Sequence, residues 1–338
     1  MKHNIKVTLI IVSMFIIAQF IGLLVVSNYD TYFGKTSQTL IANGTISNQT
    51  IPDMSIIRDN LPPQTEIETP VDYVTILSSI IVAIIFAVIL FLLLSRVRAN
   101  ILIKIWFTFV VFLCLSIALS LILYPLFGLN PILLFGKKIS LAEIIAVPIA
   151  IAFTYLKIFR RNMLAHNFSE LFIYPGLAVI FIPIVNLLVA IILLVVISLY
   201  DMIAVWKTKH MIKMAKFQVN TLKVFTGFLV PYIKKDDRVK IVKVKAMKLT
   251  DKQKNEKLKK MNIKINVAAL GGGDIAFPMI VIGVILLTMG LLPAIITIFT
   301  TTLSLLALLM FSQKGKFYPA MPFLSVGCLI GLLIGALI

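Results

Sequence analysis

Two aspartates stand where aspartates are costly. Asp201 lies within the apolar stretch ISLYDMIAVW and Asp274 within AALGGGDIAFPMIVIG. An ionisable side chain inside a long apolar segment is expensive to bury and marks a functional position by default. Asp201 precedes Lys207 by six residues, about 9 Å along a helix. Taken alone, a carboxylate there could also reach the polar surface. Asp274 follows Lys264 by ten residues. Their two segments flank the same basic loop, so the acids enter the membrane from one face at similar depth. Two separate surface-seeking carboxylates would not need that match. Glu143, the third acid in an apolar run, comes five residues after Lys138 and reads as an interfacial carboxylate.

Two close aspartates can share one proton, because both cannot cheaply be ionised together. The ionised member can then take a proton from water while the protonated one polarises a carbonyl, and the titration belongs to the pair. Other hydrolytic chemistries find little support. His3, His166 and His210 all read as lying outside the apolar cores, which argues against a serine–histidine intramembrane protease. No His-Glu-x-x-His zinc motif and no GxxxxGK[ST] phosphate loop occurs. No metal or organic cofactor is expected. A buried pair does need a water path, here from the cytosol. Around the pair, Gly271, Gly272 and Gly273 would let a facing helix or an extended peptide lie against bare backbone. Pro319 and Pro322 exclude a regular helix interior. They read as the start of the last span, on the same face as both aspartates.

The elements that must position these residues follow from composition. The chain has 338 residues, is 60% hydrophobic and 14% charged, and has a mean hydropathy of +1.03. Soluble domains are about half apolar and about a quarter charged, and disorder needs low hydrophobicity. The expected fold is therefore an all-α polytopic membrane protein. Nine apolar segments are long enough or nearly so to span: 7–26, 72–95, 101–124, 139–157, 169–184, 186–205, 267–289, 291–311 and 321–338. The fifth carries Pro175, Gly176 and Pro183 and is expected to be kinked or tilted. The organisation reads as a membrane bundle over 1–185, with an outer loop 27–71, and a catalytic region over 186–338 that includes the loop 206–266. That loop holds 18 Lys and Arg against Asp236, Asp237, Asp251 and Glu256, which accounts for most of the net charge of +18. The basicity is thus no signal for nucleic acid. It places one loop near anionic headgroups on the cytoplasmic side. Lys2, Lys6, Arg96, Arg98, Lys157, Arg160, Arg161, Lys314 and Lys316 fall on the same side if the N-terminus is cytoplasmic and the C-terminus outside. Lys137 and Lys138 are a minor violation. The first span is read as retained rather than as a cleaved signal. Cys114 and Cys328 lie in apolar runs and suggest no disulfide framework.

Three sets of residues now converge. Tyr200-Asp201, Gly271-Gly272-Gly273-Asp274 and Pro319-Ala320-Met321-Pro322 resemble the YD, GxGD and PAL motifs of the presenilin and signal peptide peptidase family, in the same order and across a large loop. The likeness is strongest over 186–338. It implies an intramembrane aspartyl endopeptidase that cuts transmembrane helices of other membrane proteins, with Asp201 and Asp274 as the catalytic pair and Pro319–Met321 shaping the site. Met321 departs from the family's Leu; the two are close in volume, so packing should survive, with looser side-chain specificity. The N-in orientation is similar to presenilin, and the compact single chain fits an archaeal homologue. Two other classes use related residues. A proton- or cation-coupled transporter or channel can employ paired intramembrane acids, although no inverted repeat is evident. A prepilin-peptidase-like enzyme also carries GxGD, but would lack the Pro319–Pro322 motif and the spans before Asp201. Oligomeric state has no sequence signal.

Two stretches of the basic loop alternate with period two and read as strands. In 240–248, Val242, Val244 and Ala246 oppose Lys243 and Lys245. In 262–268, Ile263, Ile265 and Val267 oppose Lys264 and Asn266. The stretch 218–233 is expected to lie at the membrane surface or to plug the groove. A small sheet at the cytoplasmic mouth would receive an unwound substrate segment by strand addition, compensating the backbone groups freed when a helix opens. Replacing Ile265 or Val267 with Pro should cripple cleavage of a model transmembrane peptide in liposomes while thermal unfolding stays near that of the parent. Normal cleavage in both variants would remove the idea.

Overall fold

In a computed structural model of the chain, the structure describes residues 5–33, 78, 82, 86, 89, 100–128, 131–134, 137–160, 162–207, 225–233, 265–312 and 318–338. Eight helices are delimited among the described residues: α1 (Ile5–Phe33), α2 (Asn100–Phe127), α3 (Leu141–Ile158), α4 (Met163–Phe181), α5 (Leu187–Met202), α6 (Gly272–Met289), α7 (Leu291–Phe311) and α8 (Met321–Ala336). The first seven, α5 extended to Lys207, are long and apolar enough to cross a membrane, and α8 is a shorter apolar helix. Sixteen residues in α8 give about 24 Å of rise, near the thickness of a thin hydrocarbon core. The expected span 72–95 lies outside the described residues except for the helical positions Ser78, Val82, Phe86 and Ile89.

Helix starts follow local chemistry. Ser140, Asn162 and Asn186 cap α3, α4 and α5 through side-chain oxygens that accept first-turn N–H groups. Between α2 and α3 a short hairpin pairs β1 (Pro131–Leu134) with β2 (Lys137–Ser140), so the helix of the span expected at 139–157 starts at Leu141.

One buried cluster joins residues of α1 and α2 to α4–α8, including Phe15, Tyr124, Val189, Ile275, Ile298 and Leu324. Small residues decide how closely the helices approach. A Cβ on Gly331 would lie 2.5 Å from the Thr297 Cα, and one on Gly327 would lie 2.8 Å from the Thr301 Cα. The faces of α7 and α8 therefore meet backbone to backbone. Gly176 does the same for α4: a Cβ there would come 2.0 Å from the Cys114 carbonyl oxygen of α2. The Pro175–Gly176 pair is thus a packing site within a continuous helix.

A second sheet corrects the loop reading. β3 (Gly227–Ile233) pairs antiparallel with β4 (Ile265–Gly271), from Gly227↔Gly271 to Ile233↔Ile265. Of the strand expected at 262–268, residues 265–268 lie in β4 and 262–264 lie outside the described residues; its partner comes from the stretch assigned to the membrane surface or a plug. The expected strand 240–248 lies outside the described residues. The seventh span also begins later than 267, because 265–271 is strand and the helix starts at Gly272. Val267, placed with Ile263 and Ile265 on the apolar face of the expected strand, is exposed, and the buried face of β4 is made by Ala268 and Leu270 instead.

Gly331→Leu should force α7 and α8 apart. Overpacking of this kind costs about 1–3 kcal/mol, and a lower unfolding midpoint in detergent would register it.

Candidate active site

Asp201 is on the last turn of α5 and Asp274 on the first turn of α6. These helices pack against each other, and α8 packs on both. Immediately after Asp201, α5 opens into a π-helical turn, Ile203–Lys207, a form found mostly at functional positions.

Asp201 is 3% exposed, yet its carboxylate is supplied with donors. Oδ2 accepts the Met321 N–H at 3.1 Å, and the Ala320 N–H donates to the same carboxylate. Helix α8 has no side-chain cap of its own, since Ala320 occupies the cap position. Asp201 caps it from another helix. Pro319 and Pro322 bracket the two donors and carry no N–H themselves, so Ala320 and Met321 supply the bonds. An anion at such a helix start gains from the open N–H groups and from the helix dipole.

Asp274 is placed by similar physics within its own helix. The α6 cap is Gly271, extended at φ −64°, ψ 147°, with no side-chain bond. The Gly271 N–H donates to Asp274, which is the return half of a capping box. A Cβ on Gly271 would lie 3.0 Å from the Asp274 Oδ2, so the glycine provides room for the carboxylate. Asp274 is within electrostatic reach of Asp201. It is half-buried and Gly273 is exposed, which leaves the pair approachable from the Asp274 side.

Further features bear on these helix ends. The Ser198 and Ser325 hydroxyls meet at 2.7 Å, tying α5 to α8 about one turn from the Asp201–Met321 bond. Gln19 Nε2 of α1 donates to the Ile275 carbonyl at 3.2 Å. Pro278 within α6 cannot donate to the carbonyl of Asp274 four residues earlier. Gly227, at φ +123°, is required where β3 meets β4: a Cβ would fall 2.0 Å from the Leu270 carbonyl oxygen.

The strand edges differ. Asn167 on α4 donates to the Leu229 carbonyl at 2.8 Å and accepts the Leu229 N–H at 3.0 Å. His166 Nε2 is 2.9 Å from the Gly227 carbonyl oxygen. Both backbone groups of Leu229 therefore point away from β4, and in an antiparallel pair so do those of alternate residues. Pro231, with no N–H to offer, falls in that outward set, as an edge proline should. By register, Ile265, Val267 and Ala269 turn their N–H and C=O groups to the far side of β4. Among the described residues no strand covers that side.

The structure thus gathers Asp201, Ala320 and Met321 at the head of α8, Gly271 and Asp274 at the head of α6, and Ile265 and Val267 on the strand leading there. Tyr200 is exposed and lies apart from the packed side of α5. Several sequence expectations need correction. Glu143, read as a carboxylate near a span end, is in the first turn of α3, where the helix dipole favours it, and is covered by neighbouring side chains. His166 is buried rather than outside the core. Glu170, which the apolar-run criterion passed over, is fully buried and paired with Lys157, read from sequence as a flanking cation. Short polar stretches such as the one from His166 to Glu170 break the apolar count, which is why that criterion missed them. Ser198, Ser325, Gln19, Asn167 and Gly227 gave no signal, because their roles depend on partners distant in sequence. Among the described residues, no three His, Cys, Asp or Glu side chains gather into a metal-binding group.

These features define a multi-pass membrane protein with two acids on adjoining helix ends. The family model for signal-peptide peptidase, presenilin aspartyl protease matches residues 54–338, and the chain belongs to that family, whose members are intramembrane aspartic endopeptidases. Two solved structures of a presenilin family intramembrane aspartate protease share the fold. The one in space group C222 aligns with a TM-score of 0.57 and 19% identity, covering 98% of each chain. The one in space group P2 aligns at 0.56 and 18%, covering 98% of this chain and 97% of that one. A comparison with curated proteins gives no match.

Gly271→Ala should push the Asp274 carboxylate aside. Cleavage of a transmembrane peptide is expected to fall about tenfold or more, the loss of a well-placed charge-assisted bond, with little change in the unfolding midpoint.

Proposed function

We propose that the chain hydrolyses peptide bonds within transmembrane segments of other membrane proteins, with water activated between Asp201 and Asp274. The observation that carries this reading is the placing of two carboxylates, one at the start of α8 and one in the first turn of α6, within electrostatic reach of one another. One proton shared by the pair gives both roles that amide hydrolysis needs. The ionised carboxylate removes a proton from water as it attacks, and the protonated one hydrogen-bonds the scissile carbonyl oxygen. The proton taken up then passes to the leaving nitrogen as the tetrahedral intermediate collapses.

A transmembrane helix hides its carbonyls in its own hydrogen bonds, so the substrate must unwind first. The outward groups of Ile265, Val267 and Ala269 on β4 offer an extended segment a ladder to pair with. The β3 edge is unsuited to this, since Asn167 and His166 already occupy it. This supports substrate addition to β4, the strand that runs directly into Gly271 and Asp274. Proline at 265 or 267 would remove a donor from that ladder. The Pro319–Pro322 segment shapes the opposite side by presenting the Ala320 and Met321 N–H groups to Asp201. The basic loop 206–266 faces the cytosol and anionic headgroups, the N-terminus is cytoplasmic and the C-terminus outside, and spans one to five form a bundle beside the catalytic region.

A purified sample in liposomes, given a model transmembrane peptide, tests the reading. Asp201→Ala and Asp274→Ala should each abolish turnover, an aspartyl-protease transition-state analogue should inhibit, and the pH–rate profile should be bell-shaped because only the singly protonated pair works. Cleavage retained by either variant would refute the dyad. Ion or proton flux through the protein, lost with the same aspartates and accompanied by no cleavage, would favour the transport reading instead.

A further inference from the structure

Glu170 is buried on α4, and the hydrolysis described above does not use it. Its carboxylate pairs with the Lys157 ammonium of α3 and accepts the hydroxyl of Tyr174, one turn farther along α4. His166 Nε2, four residues earlier, is 3.8 Å from the same carboxylate. A buried ion pair by itself adds little stability, because apolar residues of equal volume would serve as well. Within a membrane-spanning segment such groups mark function.

The far end of this chain of contacts is informative. The Tyr174 hydroxyl abuts Gly272: a Cβ there would lie 2.9 Å from the hydroxyl oxygen and 3.3 Å from the ring Cε1. The Tyr174 ring meets Phe228 edge-on at 6.2 Å, and Phe228 is the register partner of Leu270. Tyr174 therefore touches β3 and the first residue of α6 together. Asp274 is two residues on and close enough to act electrostatically on the hydroxyl.

We propose that Tyr174 is a positioning residue for the reaction. Held by Glu170 and Lys157, its hydroxyl fixes the Gly272 backbone and thereby the place of the Asp274 carboxylate opposite Asp201. Gly272 is glycine in this chain because the hydroxyl occupies the space of its missing side chain. The inference rests on the aspartyl reading, so its test must separate the two.

Full-length variants in liposomes are assayed for kcat and KM, with thermal unfolding measured in parallel. Tyr174→Phe keeps the ring and its Phe228 contact and removes the hydroxyl alone. It should lower kcat about tenfold, the scale of one hydrogen bond to a charged group, with KM unchanged. Glu170→Gln should give a similar loss, and the double variant should be no worse than either single one, because both break the same link. Gly272→Ala, which sets a methyl against the hydroxyl, should also lose kcat, and adding Tyr174→Phe to it should restore part of the activity. The assignment is overturned by a parental kcat in Tyr174→Phe, by a change confined to KM, by a loss that matches the loss of folded protein, or by a Gly272→Ala/Tyr174→Phe variant no better than Gly272→Ala. Asp274→Ala run alongside distinguishes the failures. Residual cleavage there sinks the dyad, whereas no cleavage there with an unaffected Tyr174→Phe sinks the positioning role alone.

Discussion

Two carboxylates can be kept close together in an apolar bundle only if something other than water meets their charge. Here that something is backbone. Asp201 takes the N–H groups at the start of α8, and Asp274 takes the N–H at the start of its own helix, α6. Each acid thus lies at the positive end of a helix. No cation is needed beside the pair, and a fixed cation would oppose the proton sharing on which the proposed chemistry depends. The geometry is set by where helices begin, because a helix start leaves its first backbone donors open.

Much of the surrounding structure can be understood as support for those two starts. Pro319 and Pro322 limit the donors at the head of α8, and Ser198 and Ser325 pin α5 to α8 nearby. The glycines of α8 bring it against α7 at backbone contact. On the other side, β4 delivers Gly271 directly into α6, and β3 is clamped to α4 by Asn167 and His166. The consequence of that clamp reaches the proposed substrate. It closes one edge of the sheet and leaves the edge that leads to Asp274, so an extended segment pairing there would arrive in line with the acids.

The family to which the chain belongs is one of intramembrane aspartic proteases, and the seven long apolar helices among the described residues agree with a multi-pass membrane protein. At 19% identity the fold has been kept with most side chains changed. That is expected when the constraints are a few backbone donors and a few close approaches, since apolar residues of similar volume exchange freely in a membrane core.

The sequence by itself determined the class, most of the spans and the two acids. Length, hydropathy and basic flanks dictate crossing segments because the bilayer admits little else, and an aspartate in such a segment announces itself through its cost. The period-two pattern of 262–268 also pointed to the strand that the structure describes from Ile265 to Gly271, since alternation is a property of the chain alone. Tertiary structure decided the rest. It paired that strand with Gly227–Ile233 and turned Val267 outward while Ala268 and Leu270 face inward. It joined Lys157, Glu170 and Tyr174 into one buried link ending at Gly272, and it made Asp201 the cap of a helix that begins 120 residues later. Such contacts depend on side chains brought together from distant positions, and no window along the sequence contains both partners.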